Sequence, residues 1–432
     1  MNSTYREIAA AIANSPVVDT HDHLRPAAQL PEPMTVAGLL RSSFIARSMR
    51  DADGSPTGSV DDRTVSRWAE NTFEATADVI AKVRFTSYYH WLLRGLVELY
   101  DLPQPELTSA GWEQLNAELP ARYSDPAWPA TVMDRAHIET VIWDPFWRPG
   151  TWEGHDPRLL PSFRISSALV AFHPDAVDYV GCNLIGDWSG HFNLDVRTLS
   201  DLEGLIDRLL DENVRAGCRS LKSPVAYDRS LAIGPGKRTD AEKVFGRAPG
   251  TVAEDEGRAF GDYVMRFLLD RARDRGLVVQ VHTGMARLSG SNPLLLASQI
   301  EEYPEVVFDV FHGGYPWIHE VGALAQNYPN VRLNLAWLPQ LTTEAAVVAL
   351  KEWLQVVPQT DRISWGADSW TVEEMYGALA GAKHVISRAL SEFVDEGYLD
   401  LDEAIDAASS VLYGGGRAIY GTSAAPTLGS AS

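Results

Sequence analysis

Two histidines one residue apart, His21 and His23, close the run Val17-Val18-Asp19-Thr20. In a strand, residues i and i+2 face the same side. Both imidazoles would therefore project together before Leu24-Arg25-Pro26 breaks the run. Neutral imidazoles side by side are the beginning of a metal site. Polar groups recur at the ends of later apolar runs: Lys222 in Leu221-Lys222-Ser223, His282 after Val278–Val281, His312 after Val306–Phe311, and Asp368 after Ile363–Ala367. Each has an ordinary explanation. His282 suits a hydrogen-bonded barrel histidine, His312 a turn before Gly313-Gly314, Lys222 a paired cation and Asp368 a helix cap. Six such groups at strand ends, with none in mid-strand, favour one shared site.

The elements that must position these groups alternate along the chain. The strands expected are 17–23, 138–144, 165–172, 220–223, 277–284, 306–314, 331–337 and 362–368. Helical stretches separate the later ones, including 201–216. Thr251 and Glu254 read as a capping box, followed by an apolar stripe of Phe260, Tyr263, Val264, Phe267 and Leu268. Thr371 and Glu374 read as a second box. Strands alternating with helices imply a parallel sheet, and eight of them imply an α/β fold of the closed (β/α)8 TIM-barrel type. A doubly wound open sheet is the alternative, disfavoured because no glycine-rich phosphate loop follows the first strand. In a barrel the strand ends converge on one mouth. Residues 35–120 carry helical periodicity and no strand signal, and Tyr88–Tyr100 sets aromatics and leucines at helical spacing. The expected domains are a barrel over 1–34 and 121–421, an all-helical insertion or lid over 35–120 after the first strand, and a disordered tail over 422–432. Trp143, Trp337 and Trp365 read as core beneath the mouth, with a stacking platform as the minor alternative.

Composition narrows the function classes. The chain has 432 residues, 45% of them apolar, and a net charge of −21. That charge argues against nucleic acid and anionic membranes as partners, and no apolar run reaches the length of a membrane span. The first residues lack a signal-peptide layout. Cys182 and Cys218 form neither a metal-spaced pair nor a disulfide framework. The expectation is a cytoplasmic protein acting on a small molecule, with homo-oligomerisation left open and any metal held by histidine, carboxylate or modified lysine.

The pattern of His-x-His at the first strand, then Lys, His, His, and Asp at the eighth resembles the amidohydrolase superfamily across nearly the whole chain. Leu221–Tyr227 and His312-Gly313-Gly314-Tyr315-Pro316 are similar to its amidohydrolase-2 branch, including barrels joined to glutamine-synthetase-like domains. Tyr88–Tyr100, with Trp112 and the Leu119–Asp144 approach, is similar to uronate isomerases. The fold implied is the metal-dependent hydrolase barrel.

The resemblance also implies roles. His21, His23 and Asp368 would ligate a divalent metal, zinc by expectation, and Asp368 would move the nucleophile's proton to the leaving group. His282 and His312 would hold a second metal, or bind substrate and polarise its carbonyl. Lys222 would bridge two metals if carboxylated, or pair with a substrate carboxylate if not. Arg25 and Tyr227 are candidate substrate contacts. The reaction implied is hydrolysis of an amide or ester bond of a small molecule. Aldose–ketose isomerisation of the uronate type and metal-dependent decarboxylation are the alternatives.

Overall fold

A computed structural model describes residues 3–52, 70–145 and 156–421; the expected tail at 422–432 lies outside the described residues. Eight strands run in chain order round one sheet, every neighbouring pair parallel: β1 (Val17–Asp22), β2 (Ile138–Trp143), β3 (Leu159–Arg164), β4 (Ser220–Ser223), β5 (Val278–Val281), β6 (Phe308–Val310), β7 (Val331–Asn334) and β8 (Ile363–Ser364). β4, β5, β6 and β8 are buried along their whole length, as strands covered on both faces must be. The seam between β8 and β1 is closed by Thr20 N–H donating to Trp365 O (3.0 Å) and Asp368 N–H to His21 O (2.8 Å). The chain is a (β/α)8 barrel.

Two expectations are corrected. The third strand is Leu159–Arg164, and the apolar run 165–172 instead holds a short helix, Ser166–Leu169. Pro161 inside Leu-Leu-Pro-Ser-Phe-Arg made the true strand look broken, yet it pairs with Trp143 of β2. The run that imitated a strand packs on the helix Glu254–Arg275, with Phe172 edge-on to Phe260 at 5.7 Å. That helix is not capped by Thr251, which lies in the turn Pro249–Thr251; Glu256 reaches back to Ala253 N–H instead (2.9 Å). Thr371 does cap Val372–Asp395, accepting from Glu374 N–H (3.3 Å), while the Glu374 carboxylate goes elsewhere.

α1 (Ser3–Ala11) precedes the barrel. Between β1 and β2 lie α2 (Val36–Arg41), α3 (Ile45–Ala52), α4 (Phe73–Val83), α5 (Ser87–Tyr100), α6 (Ser109–Ser124) and α7 (Trp128–Arg135), with no strand among the described residues. α5 crosses Val372–Asp395 through facing glycines. A Cβ on Gly95 would stand 2.6 Å from Glu373 O, and one on Gly377 would stand 2.1 Å from Trp91 O. Beside that crossing, the buried Glu373 carboxylate accepts from Tyr100 Oη (2.7 Å), Tyr123 Oη (2.6 Å) and Trp128 Nε1 (3.0 Å), joining three helices of this region to the barrel. No helix among the described residues is long and apolar enough to cross a membrane.

Beneath the mouth the barrel interior is polar. Asp309 of β6 accepts from Asn334 Nδ2 (2.9 Å) and from the Tyr420 hydroxyl, and Gln280 Nε2 donates to Thr20 O (3.0 Å).

Two predictions follow from this packing. Gly377→Ala forces a methyl into backbone, and overpacking of this kind costs about 1–3 kcal/mol; chemical denaturation should show a lower midpoint, and an unchanged midpoint would contradict the close crossing. Burial pushes the Asp309 carboxyl up to about 6. The folded protein then keeps a proton that the unfolded chain releases near pH 4, so stability should fall as pH rises from about 4 to 6 and level off above. Asp309→Asn removes that dependence. The stability difference between wild type and variant should shift against wild type by roughly 2–3 kcal/mol across the window, and denaturant titrations at pH 4 and 7 measure it.

Candidate metal centre

β1 delivers His21 and His23 to the same side, their rings edge-to-face with centroids 4.7 Å apart. Asp368 arrives four residues past β8, in the left-handed region with φ 51°. One ligand atom from each of His21, His23 and Asp368 lies within 4.8 Å of the others, and all three residues are buried. His23 Nδ1 sits 2.8 Å from the carbonyl oxygen of Asp144. A carbonyl can only accept, so Nδ1 carries a proton, and Nε2 faces Asp368 Oδ1 at 3.2 Å. That contact needs a cation shared by the two atoms, either a proton donated by His23 or a metal ion. Burial alone would raise the Asp368 pKa, but the His23 hydrogen bond and the fields of His21 and His312 hold it well below the usual range. Burial, then the Lys222 charge, keeps His21 neutral far below its ordinary pKa. A carboxylate with two imidazoles is the donor set of a divalent metal site.

The second half of the cluster has the same electronic character. His312 Nδ1 faces Ala336 O (3.0 Å) and His282 Nε2 faces Met285 O (3.1 Å), so each ring spends its N–H on a carbonyl. Their other nitrogens, His312 Nε2 and His282 Nδ1, meet at 2.7 Å. Two lone pairs at that distance also need a cation between them, either a proton or a metal ion. Burial lowers both pKa values, His312 to about 4 against the opposing charge of Asp368, which disfavours the proton. Lys222 Nζ stands 3.1 Å from His21 Nε2 and 4.1 Å from the Phe311 ring centroid, and burial draws its pKa down to about 8. An amine so placed gives up its proton more easily than a free lysine's, and carboxylation requires the deprotonated amine. His312 owes its position to backbone: it and Gly313 and Gly314 are all left-handed (φ 63°, 56° and 62°), and a Cβ on Gly313 would strike Leu338 at 2.6 Å.

Of the expected substrate contacts, Tyr227 lies at the centre, its ring 4.4 Å from that of His282. Arg25 lies to one side, its guanidinium stacked 4.1 Å over Trp370, lining a cavity of about 280 Å³ that neither the histidines nor Asp368 line. Trp143 and Trp365 are buried core, whereas Trp337 stands 5.4 Å from the His312 ring. Sequence reasoning missed the chain behind His23. Asp144 Oδ2 accepts from Arg164 (2.8 Å), and Arg164 also donates to the Tyr179 hydroxyl. Asp144 was legible as the polar residue ending Val-Ile-Trp-Asp-Pro. Arg164 was hidden by the misplaced third strand. Phe44 and Tyr88 were missed as well; with Trp337 and Trp370 they form an aromatic wall, Phe44 lying 5.1 Å from Trp337 and 5.9 Å from Trp370.

The family model described as Amidohydrolase matches residues 243–399, the segment that carries His282, His312 and Asp368. Over that segment the chain is similar to the amidohydrolase superfamily. The chain is 28% identical over 217 residues to the protein fluG of Emericella nidulans, a match covering 46% of this chain and 25% of that protein; the match thus spans about a quarter of the relative's length. In fold it is similar to the uronate isomerase of Thermotoga maritima (TM-score 0.76, 15% identity, 97% and 98% of the two chains). It is also similar to the glucuronate isomerase of Caulobacter crescentus (TM-score 0.75, 18% identity, 98% and 95%).

If His21, His23 and Asp368 hold a metal, His21→Ala combined with His23→Ala should fold with a native-like melting curve yet purify without tightly bound metal. Elemental analysis decides it, and metal at the wild-type level in that variant would remove the assignment.

Proposed function

We propose that this protein is a metal-dependent amidohydrolase that uses zinc to hydrolyse an amide or ester bond of a small molecule. The observation that carries the reading is the pair of facing acceptor sets, His23 with Asp368 and His282 with His312, beside a buried Lys222. Together they supply every side chain that a one- or two-metal hydrolytic site needs. When bound there, a divalent ion supplies Lewis acidity, polarising a carbonyl and acidifying water.

The remaining steps belong to the chain's own residues. The ionised Asp368 accepts the attacking water's proton and passes it to the leaving nitrogen or oxygen. Its backbone N–H is fixed by His21 O, so the carboxylate stays where the proton must move. His312 and His282, neutral at physiological pH, face the carbonyl end of the substrate. Lys222, if carboxylated by carbon dioxide, would add a carbamate ligand for metal; unmodified, it would pair with a substrate carboxylate. Tyr227 closes the pocket over His282 and orients the substrate, and the aromatic wall excludes water.

Aldose–ketose isomerisation is the second reading, favoured by whole-length likeness to two uronate-type isomerases, helical region included. Asp368 would then carry a proton between adjacent carbons. Product mass separates the readings in a screen of amides, lactones, uronates and aromatic acids. Hydrolysis adds the mass of water, isomerisation leaves mass unchanged, and decarboxylation removes that of carbon dioxide. A uronate converted without change in mass, with no amide or ester turned over, overturns hydrolysis.

In either chemistry Asp368→Asn should lower kcat by about 10²–10⁴, because an amide cannot accept the proton, with little change in melting temperature. A near-normal kcat would refute the proton-transfer role.

A further inference from the structure

A second concavity, of about 620 Å³, opens between α1, α5, the end of α7 and the helix Val372–Asp395, and no residue of the metal centre lines it. Its size is that of a small-molecule pocket. Leu93, Leu379 and Ala380 contribute apolar lining. One wall is a continuous aromatic relay: Tyr5 meets His384 edge-on at 5.6 Å, with Tyr5 Oη 2.9 Å from His384 Nδ1, and His384 meets Trp91 at 5.4 Å. Flat apolar bodies pack well against such surfaces.

The polar lining has the opposite sign to the molecule. Arg94, Arg135 and Lys383 line the groove with a single acid, Glu98, in a chain whose net charge is −21. Glu98 is ion-paired with Arg94. Arg135 donates to Glu98 O (2.5 Å) and Lys383 to Ala13 O (2.6 Å). Among the described residues neither makes an ion pair with a carboxylate. Lys383 is half-buried, and burial pulls its pKa below the ordinary lysine range. The Glu98 charge acts on Lys383 as well, and Arg135 is exposed, so with Arg94 three cations share one carboxylate beside an aromatic wall. We propose that this groove binds a small aromatic dianion, of which an aromatic phosphate monoester is the simplest form. Its phosphate would sit between Lys383 and Arg135, and its ring against Tyr5 and His384. The site is separate from the reaction at the barrel mouth and does not depend on how that reaction is assigned.

Calorimetric titration of the full chain with phenyl phosphate, inorganic phosphate and phenol tests this. Phenyl phosphate should bind one per chain, at least tenfold more tightly than inorganic phosphate, with affinity falling as salt is added, and phenol should give no saturable signal. Lys383→Gln and Arg135→Gln should each weaken phenyl phosphate at least tenfold. Ala380→Trp, which fills the groove and leaves its charges alone, should abolish binding, with melting curves confirming that each variant is folded. The proposal is overturned if no saturable binding occurs, or if binding survives Ala380→Trp, which would place the anion elsewhere. Light scattering that shows a second copy of the chain covering this groove would overturn it as well.

Discussion

Two buried carboxylates on β1 reach across the barrel seam to the backbone that follows β8. Asp19 Oδ1 accepts from Ala367 N–H (3.0 Å) and His21 N–H (3.1 Å), and Asp22 Oδ1 accepts from Ser369 N–H (2.8 Å) and His23 N–H (2.6 Å). Burial raises both acids, Asp19 to about 7 and Asp22 well above its usual value, with mutual repulsion adding to the rise of Asp22. They lie on either side of His21 in sequence, and the segments they grip lie on either side of Asp368. Gly366 permits the approach: a Cβ there would stand 2.6 Å from His21 N. The histidines and their carboxylate partner are therefore fixed by the same contacts that close the barrel, and the left-handed turn at Asp368 is held from both ends.

The same stretch anchors the helical region between β1 and β2. Glu373 and Glu374 follow Asp368 by five and six residues, and both carboxylates point away from the barrel interior. Glu373 gathers Tyr100, Tyr123 and Trp128, while Glu374 accepts from Phe44 N–H (2.6 Å) and Trp370 N–H (3.1 Å). Phe44 carries one ring of the aromatic wall and Trp370 another. The shape of the mouth is thus set by residues far apart in sequence but tied to one helical turn just past the candidate catalytic acid. Change in the helical region can alter which substrate fits while leaving His21, His23 and Asp368 in place.

Electrostatics at the centre is a matter of acceptors outnumbering donors in a dry place. Carbonyl oxygens of Asp144, Ala336 and Met285 take the ring N–H groups of three histidines, and the remaining nitrogens face one another or a carboxylate. In low dielectric such an arrangement stores unfavourable energy until a cation enters. The three carbonyls therefore orient the rings and set their tautomers, a role that needs particular backbone conformations more than particular side chains.

Much of this protein is legible in its residues. The period-2 placement of His21 and His23, the alternation of apolar runs with capped helices, and the polar groups at strand ends lead to a parallel barrel with a metal centre at its mouth. These signals are local: a strand's faces and a helix's cap are set by neighbours a few residues away. Local signals also misled. Pro161 disguised β3, and with it Arg164, because tolerance of a proline depends on which partner strand would have needed its N–H. Three things were decided only by the folded chain. Tautomers and lone pairs at the centre depend on where Asp144, Ala336 and Met285 turn their carbonyls. The latch from Asp19 and Asp22 joins residues almost 350 positions apart. The contact of α5 with Val372–Asp395 depends on two glycines whose meaning appears only when the backbones touch. Spacing along a chain reports which side chains can share a face; only closure of the barrel determines which of them share a few ångströms of space.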